Sequence, residues 1–393
     1  MAASPIPVDE FEPSVRGDAS VFFPPQAYYR PDFYKFEQAA VWRKDWVCVG
    51  RQEEVANVGD YFSVEVAGEP LLVVRTEPDG IAAMSAVCRH RAMLVAEGSG
   101  NCKGYFVCPY HGWSYDRRGN LVGAPGMAGA AGFDRGKIRL PRVRVELWHG
   151  MIFVNFDAAA APLAPRLAAL EPIIADWRLE TLVGEFSCIP NYKQHFDYPW
   201  NWKVYAEGQS ECYHCDKLHR DTPCMRGVDF SSIQMLVNDA EAGVFAFSMR
   251  TKVRDLTLNH LGHAVFPVLE SLPDAQRWMS YSIIIAPNVF MQLMADSVIL
   301  LSWLPTGPTT MRSKRHRLYP ESTLRRPDFH DVHKLELEAI RYFVGQDDMA
   351  FARVQTGLQS DYAPRGPITA REPVLLGLNK WLVERYRRAD RAA

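Results

Sequence analysis

Two pairs of side chains that commonly bind metals stand close together in the first third of the chain. Cys88 and His90 form the first pair, and Cys108 and His111 form the second. Seventeen residues separate the two pairs. Two thiols and two imidazoles can surround one tetrahedral metal ion or an iron–sulfur cluster. A structural zinc site and an iron–sulfur site are therefore both open from the ligand types alone.

The arrangement of the pairs favours iron over zinc. Each pair mixes one Cys with one His, so each loop can supply one ligand to each of two irons, as a Rieske [2Fe–2S] centre requires. The second loop also contains Pro109 and Gly112, which permit the tight turns of a loop that covers a cluster. Backbone N–H groups in such a loop can point at sulfur and raise the reduction potential. The pairs are embedded in predicted β hairpins rather than in a ββα zinc finger.

The segment from residue 88 to residue 113 resembles the Rieske domain of non-haem iron ring-hydroxylating oxygenases. The matching features are the Cys-x-His pair, the 17-residue spacer and the sequence CPYHGW that begins at Cys108. Ala92 departs from the family, which usually has Gly after His-Arg. The resemblance implies that four residues bind a Rieske cluster, namely Cys88, His90, Cys108 and His111.

A second set of metal-binding residue types lies in the sequence AEGQSECYHCDKLH, which contains His214 and His219. Residues five apart on an ideal α-helix point about 140° away from each other. Both histidines can face one metal only if the helix is broken or carries a π-bulge. The segment NWKVYAEGQSECYHCDKLH resembles the oxygenase helix that carries two iron-binding histidines five residues apart. The resemblance implies mononuclear Fe(II) in a site of two histidines and one carboxylate.

The same resemblance identifies two further acidic positions. It implies that Glu211 bridges a Rieske histidine and an iron-binding histidine of neighbouring subunits. Glu rather than Asp here resembles the branch that acts on quaternary ammonium compounds such as choline, betaine and carnitine. The third iron ligand is expected in the late segment YFVGQDDMAFARVQTGLQS. An acid eight residues before Gln355 is Asp347, which we favour, while Asp348 would suit the dioxygenase-type spacing.

Other residues near these motifs have simpler expected roles. Cys212 and Cys215 form a CxxC pair, but neither a βαβ context nor a second ligand pair accompanies it, so we predict that both pack beside the iron site. An aromatic box could hold a substrate cation, although aromatic residues of strands are more often part of a core. The candidates for such a box are Tyr205, Trp278, Tyr281 and Trp303.

The elements that must position these residues suggest an α+β protein of more than one domain. Residues 46–157 are strand-like, with Gly and Pro turns, and predict a small all-β Rieske domain. Residues 158–393 predict a catalytic domain in which strands joined by short turns form a large antiparallel sheet flanked by helices. The family resemblance implies that this domain has a helix-grip, START-like arrangement. The segment HDVHKLELEAIRYFVGQDDMAFARVQTGL has helical periodicity. Residues 1–45 are expected to pack on the catalytic domain, and AAAAPLAPRL reads as a linker.

The composition excludes several classes of partner. The chain has 393 residues, 48% hydrophobic content and a formal net charge of −2, so no basic surface indicates nucleic acid or a membrane. No apolar run reaches about 18 residues, as a membrane-spanning helix would require. The start MAASPIPVDEFEPS lacks the order of a signal peptide. We therefore expect a cytoplasmic protein whose clustered cysteines serve metal binding or redox chemistry.

The resemblance spans about residues 42–360 and implies a function. The chain would be the terminal oxygenase (α) subunit of a homotrimer that receives electrons from an NAD(P)H-dependent flavin and iron–sulfur reductase, or from a ferredoxin. It would hydroxylate or oxidatively N-demethylate a small substrate, either a quaternary ammonium compound or an aromatic acid or ring. A pure electron-transfer protein would not need the second ligand set, and a protein stabilised by zinc would be colourless.

Overall fold

A computed structural model of the chain describes residues 3–189, 194–259 and 261–393. The chain divides into two compact units. The small unit is Trp42–Leu163, and the large unit combines Met1–Val41 with Ala164–Ala393. The domain boundaries after residues 45 and 157 stay a prediction from the sequence.

The small unit is built from antiparallel β-strands. The strands are β1 Val47–Arg51, β2 Asp60–Val66, β3 Glu69–Glu77, β4 Gly80–Ser85, β5 Ser99–Asn101, β6 Tyr105–Val107, β7 Ser114–Asp116, β8 Leu121–Gly123, β9 Arg142–Trp148 and β10 Met151–Asn155. Seven of them form one sheet in the order β1-β10-β9-β4-β3-β2-β5, and β6-β7-β8 form a second sheet. Some neighbouring strands, such as β2 and β3, follow each other in the sequence, whereas others, such as β4 and β9, are far apart in the chain.

The sequence of the small unit explains its hairpins and its core. The connection between β2 and β3 has two residues, Ala67 and Gly68, with φ of 52° and 75°. Positive φ at both central residues is the geometry of a type I′ turn, whose twist matches that of paired strands. The buried core beneath the second sheet contains Leu72, Val74, Met84, Ala86, Val95, Phe106, Trp113, Tyr115, Leu121 and Leu140.

The large unit contains an antiparallel sheet and most of the helices. Its strands are β11 Leu182–Gly184, β12 His195–Tyr198, β13 Val228–Asp239, β14 Val244–Thr251, β15 Met279–Ile285, β16 Val289–Leu293, β17 Val298–Gly307 and β18 Thr310–Pro320. The α-helices in the described part of the chain are α1 Pro31–Glu37, α2 Leu163–Leu167, α3 Glu171–Ile174, α4 Trp202–Gln209, α5 Cys215–Leu218, α6 Pro223–Arg226, α7 Glu321–Leu324, α8 Phe329–Leu358 and α9 Pro373–Arg391. A π-helical turn, Gln38–Trp42, follows α1.

The sheet of the large unit is antiparallel throughout its described strands. Their order is β11-β18-β17-β16-β15-β14-β13, and β12 pairs with another stretch of β18. Helix α4 packs on the sheet, because the ring of Tyr205 lies 5.4 Å from that of Trp303. Helix α8 packs beside α4, because Phe351 lies 6.0 Å from the same tyrosine ring. The predicted combination of an all-β part and a large antiparallel sheet flanked by helices is confirmed.

Two segments differ from the sequence-based expectation. Part of the predicted linker is helical, because α2 begins at Leu163 and accommodates Pro165 within its first turn, where proline is tolerated. Helix α9 was not predicted, and its residue Tyr386 is buried against Phe11 at a ring distance of 5.2 Å. No helix within the described part of the chain is long and apolar enough to cross a membrane.

Candidate metal centres

The first candidate centre consists of two loops with the same conformation. One loop runs from Cys88 after β4, and the other runs from Cys108 after β6. In each loop the Cys N–H donates to a carbonyl five residues later, at 2.8 Å in both cases. In each loop the Cys carbonyl accepts from the N–H four residues later, at 3.1 Å from Ala92 and 3.0 Å from Gly112. The two loops therefore share one backbone conformation, and each presents one thiol and one imidazole.

The fourth residue after each cysteine has a left-handed backbone. Gly112 has φ of 73°, and Ala92 has φ of 60°. Glycine adopts this conformation without steric cost, whereas an alanine Cβ approaches the following carbonyl oxygen. The position at which the sequence departs from the family is therefore a strained position in this fold.

The candidate ligand residues of the two loops differ in exposure. Cys88 and Cys108 are buried, with 3% and 2% of their surfaces exposed, whereas His90 and His111 are exposed. The two imidazole rings lie 4.6 Å apart, and the two cysteines belong to one buried cluster of side chains. Two buried thiols and two neighbouring exposed imidazoles are the donor set of a Rieske [2Fe–2S] cluster, in which two Cys bind one iron and two His bind the other.

Two aromatic side chains support the first centre. The Tyr115 hydroxyl accepts from the Arg89 N–H at 2.9 Å and lies 3.2 Å from the Cys88 sulfur. Since its oxygen accepts from the backbone, its own O–H can donate to the sulfur. Burial, together with the hydrogen bond to Cys88, raises the pKa of Tyr115 above its usual value, so the hydroxyl keeps its proton. The Trp113 indole stacks on the His90 ring at 4.8 Å.

The second candidate centre lies where a helix is broken. Helix α4 ends at Gln209 and α5 begins at Cys215, so His214 and His219 flank the short α5 on either side. The sequence-based condition that the helix must be interrupted is confirmed. The Glu211 carboxylate stabilises the interruption because it accepts from the N–H groups of Tyr213 and His214, the second at 3.2 Å.

This break brings three predicted residues to one point. Nε2 of His219 lies 2.9 Å from Oδ1 of Asp347, and Nε2 of His214 lies 3.6 Å from the same oxygen. One ligand atom from each of the three residues lies within 4.8 Å of the others. Nε2 of His219 and Oδ1 of Asp347 are buried and have no hydrogen-bond partner. Buried polar atoms that face each other without a hydrogen bond fit a bound cation between them.

Both histidines are held in the same orientation by a partner on the other ring nitrogen. Nδ1 of His214 lies 2.5 Å from Oε1 of Glu211, and Nδ1 of His219 lies 2.8 Å from Oε1 of Gln346. Neither oxygen can donate, so each Nδ1 carries the proton and each Nε2 presents its lone pair to Asp347. Burial lowers the pKa of His214, but the Glu211 hydrogen bond and the nearby acidic charges outweigh burial, and the pKa is raised.

Asp348 is not part of this cluster. Its Oδ1 is buried without a hydrogen-bond partner, and burial raises the pKa of Asp348 to about 6, with Arg315 opposing and Asp347 adding to the increase. Cys212 and Cys215 were predicted to pack beside the iron site. The Cys215 sulfur does lie 3.9 Å from Nε2 of His214, but the two cysteines are also joined in a disulfide bond that was not predicted.

The candidate aromatic box is not assembled as a single group. Tyr205 packs against Trp303, whereas Tyr281 packs against Trp177 at 5.1 Å, and Trp278 is 42% exposed. Sequence reasoning missed Tyr115, Gln346 and Arg315. Their contacts join positions far apart in the chain, and no local spacing signals them.

Two family models match the chain. Residues 187–388, just over half of the 393 residues, match the model described as ring hydroxylating alpha subunit (catalytic domain), and residues 45–138 match the Rieske [2Fe-2S] domain.

Two curated relatives are similar to parts of the chain. The carnitine monooxygenase oxygenase subunit of Escherichia coli (strain K12) is 32% identical over 196 residues, which are 50% of this chain and 51% of that protein. The benzene 1,2-dioxygenase subunit alpha of Pseudomonas putida is 34% identical over 193 residues, which are 48% of this chain and 42% of that protein. The chain thus spans about half the length of these curated relatives.

A solved structure is similar over nearly the whole chain. It is the quaternary ammonium Rieske monooxygenase CntA in complex with an inhibitor, with a TM-score of 0.79 and 20% sequence identity. The similarity covers 98% of this chain and 100% of that one, and it establishes a shared fold.

Proposed function

Because this chain belongs to the ring-hydroxylating alpha subunit family, we propose that it is the terminal oxygenase component of a Rieske oxygenase system. Membership of the family confirms the resemblance found in the sequence. In the proposed reaction, O2 and electrons from an NAD(P)H-dependent reductase are used to hydroxylate or oxidatively N-demethylate a small substrate. The observation that carries the proposal is the cluster of His214, His219 and Asp347 around one point.

The chain's own residues have defined roles in this proposal. Cys88, His90, Cys108 and His111 hold the Rieske cluster, and His214, His219 and Asp347 hold mononuclear Fe(II). When bound, the cluster supplies single electrons and the mononuclear iron activates oxygen. The imidazoles of His90 and His111 are exposed, which suits electron exchange with a partner. The sulfur atoms of Cys88 and Cys108 are buried, so water has little access to them.

We further propose that Glu211 connects the two centres between neighbouring subunits of a homotrimer. Its Oε1 contacts Nδ1 of His214 at 2.5 Å, and an ionised carboxylate oxygen has a second acceptor position. That position can accept from a Rieske histidine of an adjacent chain. The carboxylate would then fix the iron-binding imidazole and shorten the path for an electron.

The proposed substrate is a quaternary ammonium compound. The carnitine monooxygenase relative and the Glu at position 211 support this class. The benzene dioxygenase relative, at 34% identity, favours an aromatic acid or ring as the second candidate. We further propose that the electron donor is a flavin and iron–sulfur reductase or a ferredoxin, and that the protein is cytoplasmic. The proposed domains are residues 46–157 and 158–393, with residues 1–45 packed on the second domain.

The decisive experiment combines metal analysis with product identification. The purified protein should contain iron and acid-labile sulfide and should give a Rieske-type EPR signal after reduction. With a reductase, NADH and O2, a panel of ammonium and aromatic compounds should give one oxygenated or demethylated product. His214→Ala should abolish product while the Rieske spectrum persists. Stoichiometric zinc without sulfide would exclude the proposal.

The bridge is tested by single turnover of the protein with its cluster reduced beforehand. Glu211→Ala should keep both metals but block oxidation of the cluster and formation of product. Glu211→Gln keeps the shape but loses the charge and one acceptor, so an intermediate loss is expected. Normal cluster oxidation in Glu211→Ala would show that this carboxylate does not connect the centres.

A further inference from the structure

Arg315 differs from the other arginines of its strand in having no carboxylate within salt-bridge distance. On β18, Nε of Arg312 donates to Asp197 at 2.6 Å, and Arg317 lies 3.4 Å from Glu336. Among the described residues, no carboxylate oxygen lies within 4.0 Å of the Arg315 guanidinium, and its Nε is buried without a hydrogen-bond partner. The few residues outside the described part include no Asp or Glu.

The surroundings of Arg315 hold the guanidinium in place but leave donors unused. Its carbon lies 4.9 Å from the centre of the Phe196 ring and 5.4 Å from that of Tyr198. One terminal N–H donates to the Tyr198 hydroxyl. A guanidinium has five N–H donors in a planar fork that matches a carboxylate. The charge of Asp348 acts on the guanidinium from beyond hydrogen-bonding distance, so the buried Nε–H has no acceptor. A buried donor without an acceptor is costly, which indicates that an external anion supplies one.

Arg315 also lies close to the candidate iron site. Its charge interacts with Asp348, the residue after Asp347. The Tyr198 ring lies 6.2 Å from that of Tyr205, which in turn packs against Phe351. Phe351 is one helical turn beyond Asp347 on α8, so both side chains project from the same face of that helix. The guanidinium and the candidate metal ligands thus border the same interior region of the large unit.

We propose that Arg315 binds the carboxylate of the substrate. The inference rests on the proposed function and narrows its substrate class to small molecules that carry a carboxylate besides the group to be oxidised. An amino-acid betaine and an aromatic acid both meet this condition. Choline and unsubstituted benzene do not. The requirement for a carboxylate therefore selects some members of each proposed substrate class and excludes others.

The test measures binding of two matched pairs of compounds to the holoprotein without reductant. One pair is glycine betaine and choline, and the other is benzoate and benzyl alcohol. Titration calorimetry should show that the carboxylate binds roughly 10- to 100-fold more tightly than the alcohol in at least one pair, as expected for charge-assisted hydrogen bonds. Arg315→Gln should remove that difference and leave affinity for the alcohol unchanged. Arg315→Lys keeps the charge but not the fork, so an intermediate preference is expected.

The matched control is Arg312→Gln, which removes an exposed arginine of the same strand and should keep the full preference. Equal binding within both pairs, or no binding of either carboxylate, would overturn the inference, and so would a preference that survives Arg315→Gln. If Arg315→Gln does not fold with both metals, Arg315→Lys decides, since an unchanged preference would overturn the assignment. A protein that oxidises choline but ignores carboxylates would retain the proposed function and lose this inference.

Discussion

Gln346 should determine how tightly the mononuclear site binds its metal. Its side-chain oxygen lies 2.8 Å from Nδ1 of His219, and this contact fixes the proton on Nδ1. Gln346→Leu removes the acceptor, and the His219 ring, which is completely buried, is left with an unsatisfied N–H. The proton can then move to Nε2, which is the nitrogen that faces Asp347, and there it competes with a metal ion.

The magnitude follows from two independent estimates. Leaving a buried donor without its partner costs about 1–3 kcal/mol. Loss of a hydrogen-bond partner of a metal-binding histidine typically weakens metal affinity about 10- to 100-fold, or about 1.4–2.7 kcal/mol. Since the two ranges overlap, we expect Gln346→Leu to weaken Fe(II) binding by about tenfold or more.

The assay is anaerobic equilibrium dialysis of protein from which the mononuclear metal has been removed, against chelator-buffered Fe(II). Iron beyond that of the intact cluster is counted, and labile sulfide reports that the cluster is unchanged. Gln346→Glu keeps an acceptor and should bind Fe(II) at least as tightly as the wild type. Gln359→Leu makes the same change at the exposed end of α8 and should have no effect. Wild-type affinity in Gln346→Leu would refute the positioning role.

Three further changes test the loops and a buried acid. Tyr115→Phe removes the O–H that faces the Cys88 sulfur, and redox titration should show a cluster potential lower by about 40–60 mV, equivalent to about 1 kcal/mol or slightly more. Ala92→Gly relieves a left-handed alanine, and the thermal transition of the cluster chromophore should rise, reflecting about 0.5–1 kcal/mol. Burial raises the pKa of Glu207 to about 7, although the Tyr28 hydroxyl donates to it. A buried acid with a raised pKa destabilises the fold increasingly as pH rises from about 4.5 to 7. Denaturant unfolding should therefore show that Glu207→Gln gains in free energy of unfolding relative to wild type across that pH window. A difference that stays constant with pH would contradict this prediction.

Candidate ligands for both centres could be named from the sequence because their spacing is local. Cys88 and His90 share one loop, and Cys108 and His111 share another, so residue type and spacing predict a metal site, while the family resemblance favours iron. The i, i+5 spacing of His214 and His219 likewise required an interrupted helix, and the chain has that interruption.

The supporting contacts could not be predicted because they join distant positions. His219 and Gln346 are 127 residues apart, and Cys88 and Tyr115 are 27 apart. No helix or strand periodicity in the sequence links the two members of either pair, because each contact depends on how separate elements pack together. The same holds for Arg315, whose lack of a hydrogen-bonded carboxylate is visible only once every neighbouring carboxylate has been placed.

The packing of α8 on α4 explains why Asp347, eight residues before Gln355, lies at the candidate iron site and Asp348 does not. Gln355 fixes α8 against the start of α4, because its side-chain oxygen accepts from the Asn201 N–H at 2.7 Å. Eight helical residues span about 12 Å, which is also the length of α4 from Trp202 to Gln209. An acid eight residues before Gln355 therefore reaches the far end of α4, where the two histidines lie. A shift of one residue turns a side chain by about 100° around α8, which moves Asp348 off this line and towards Arg315.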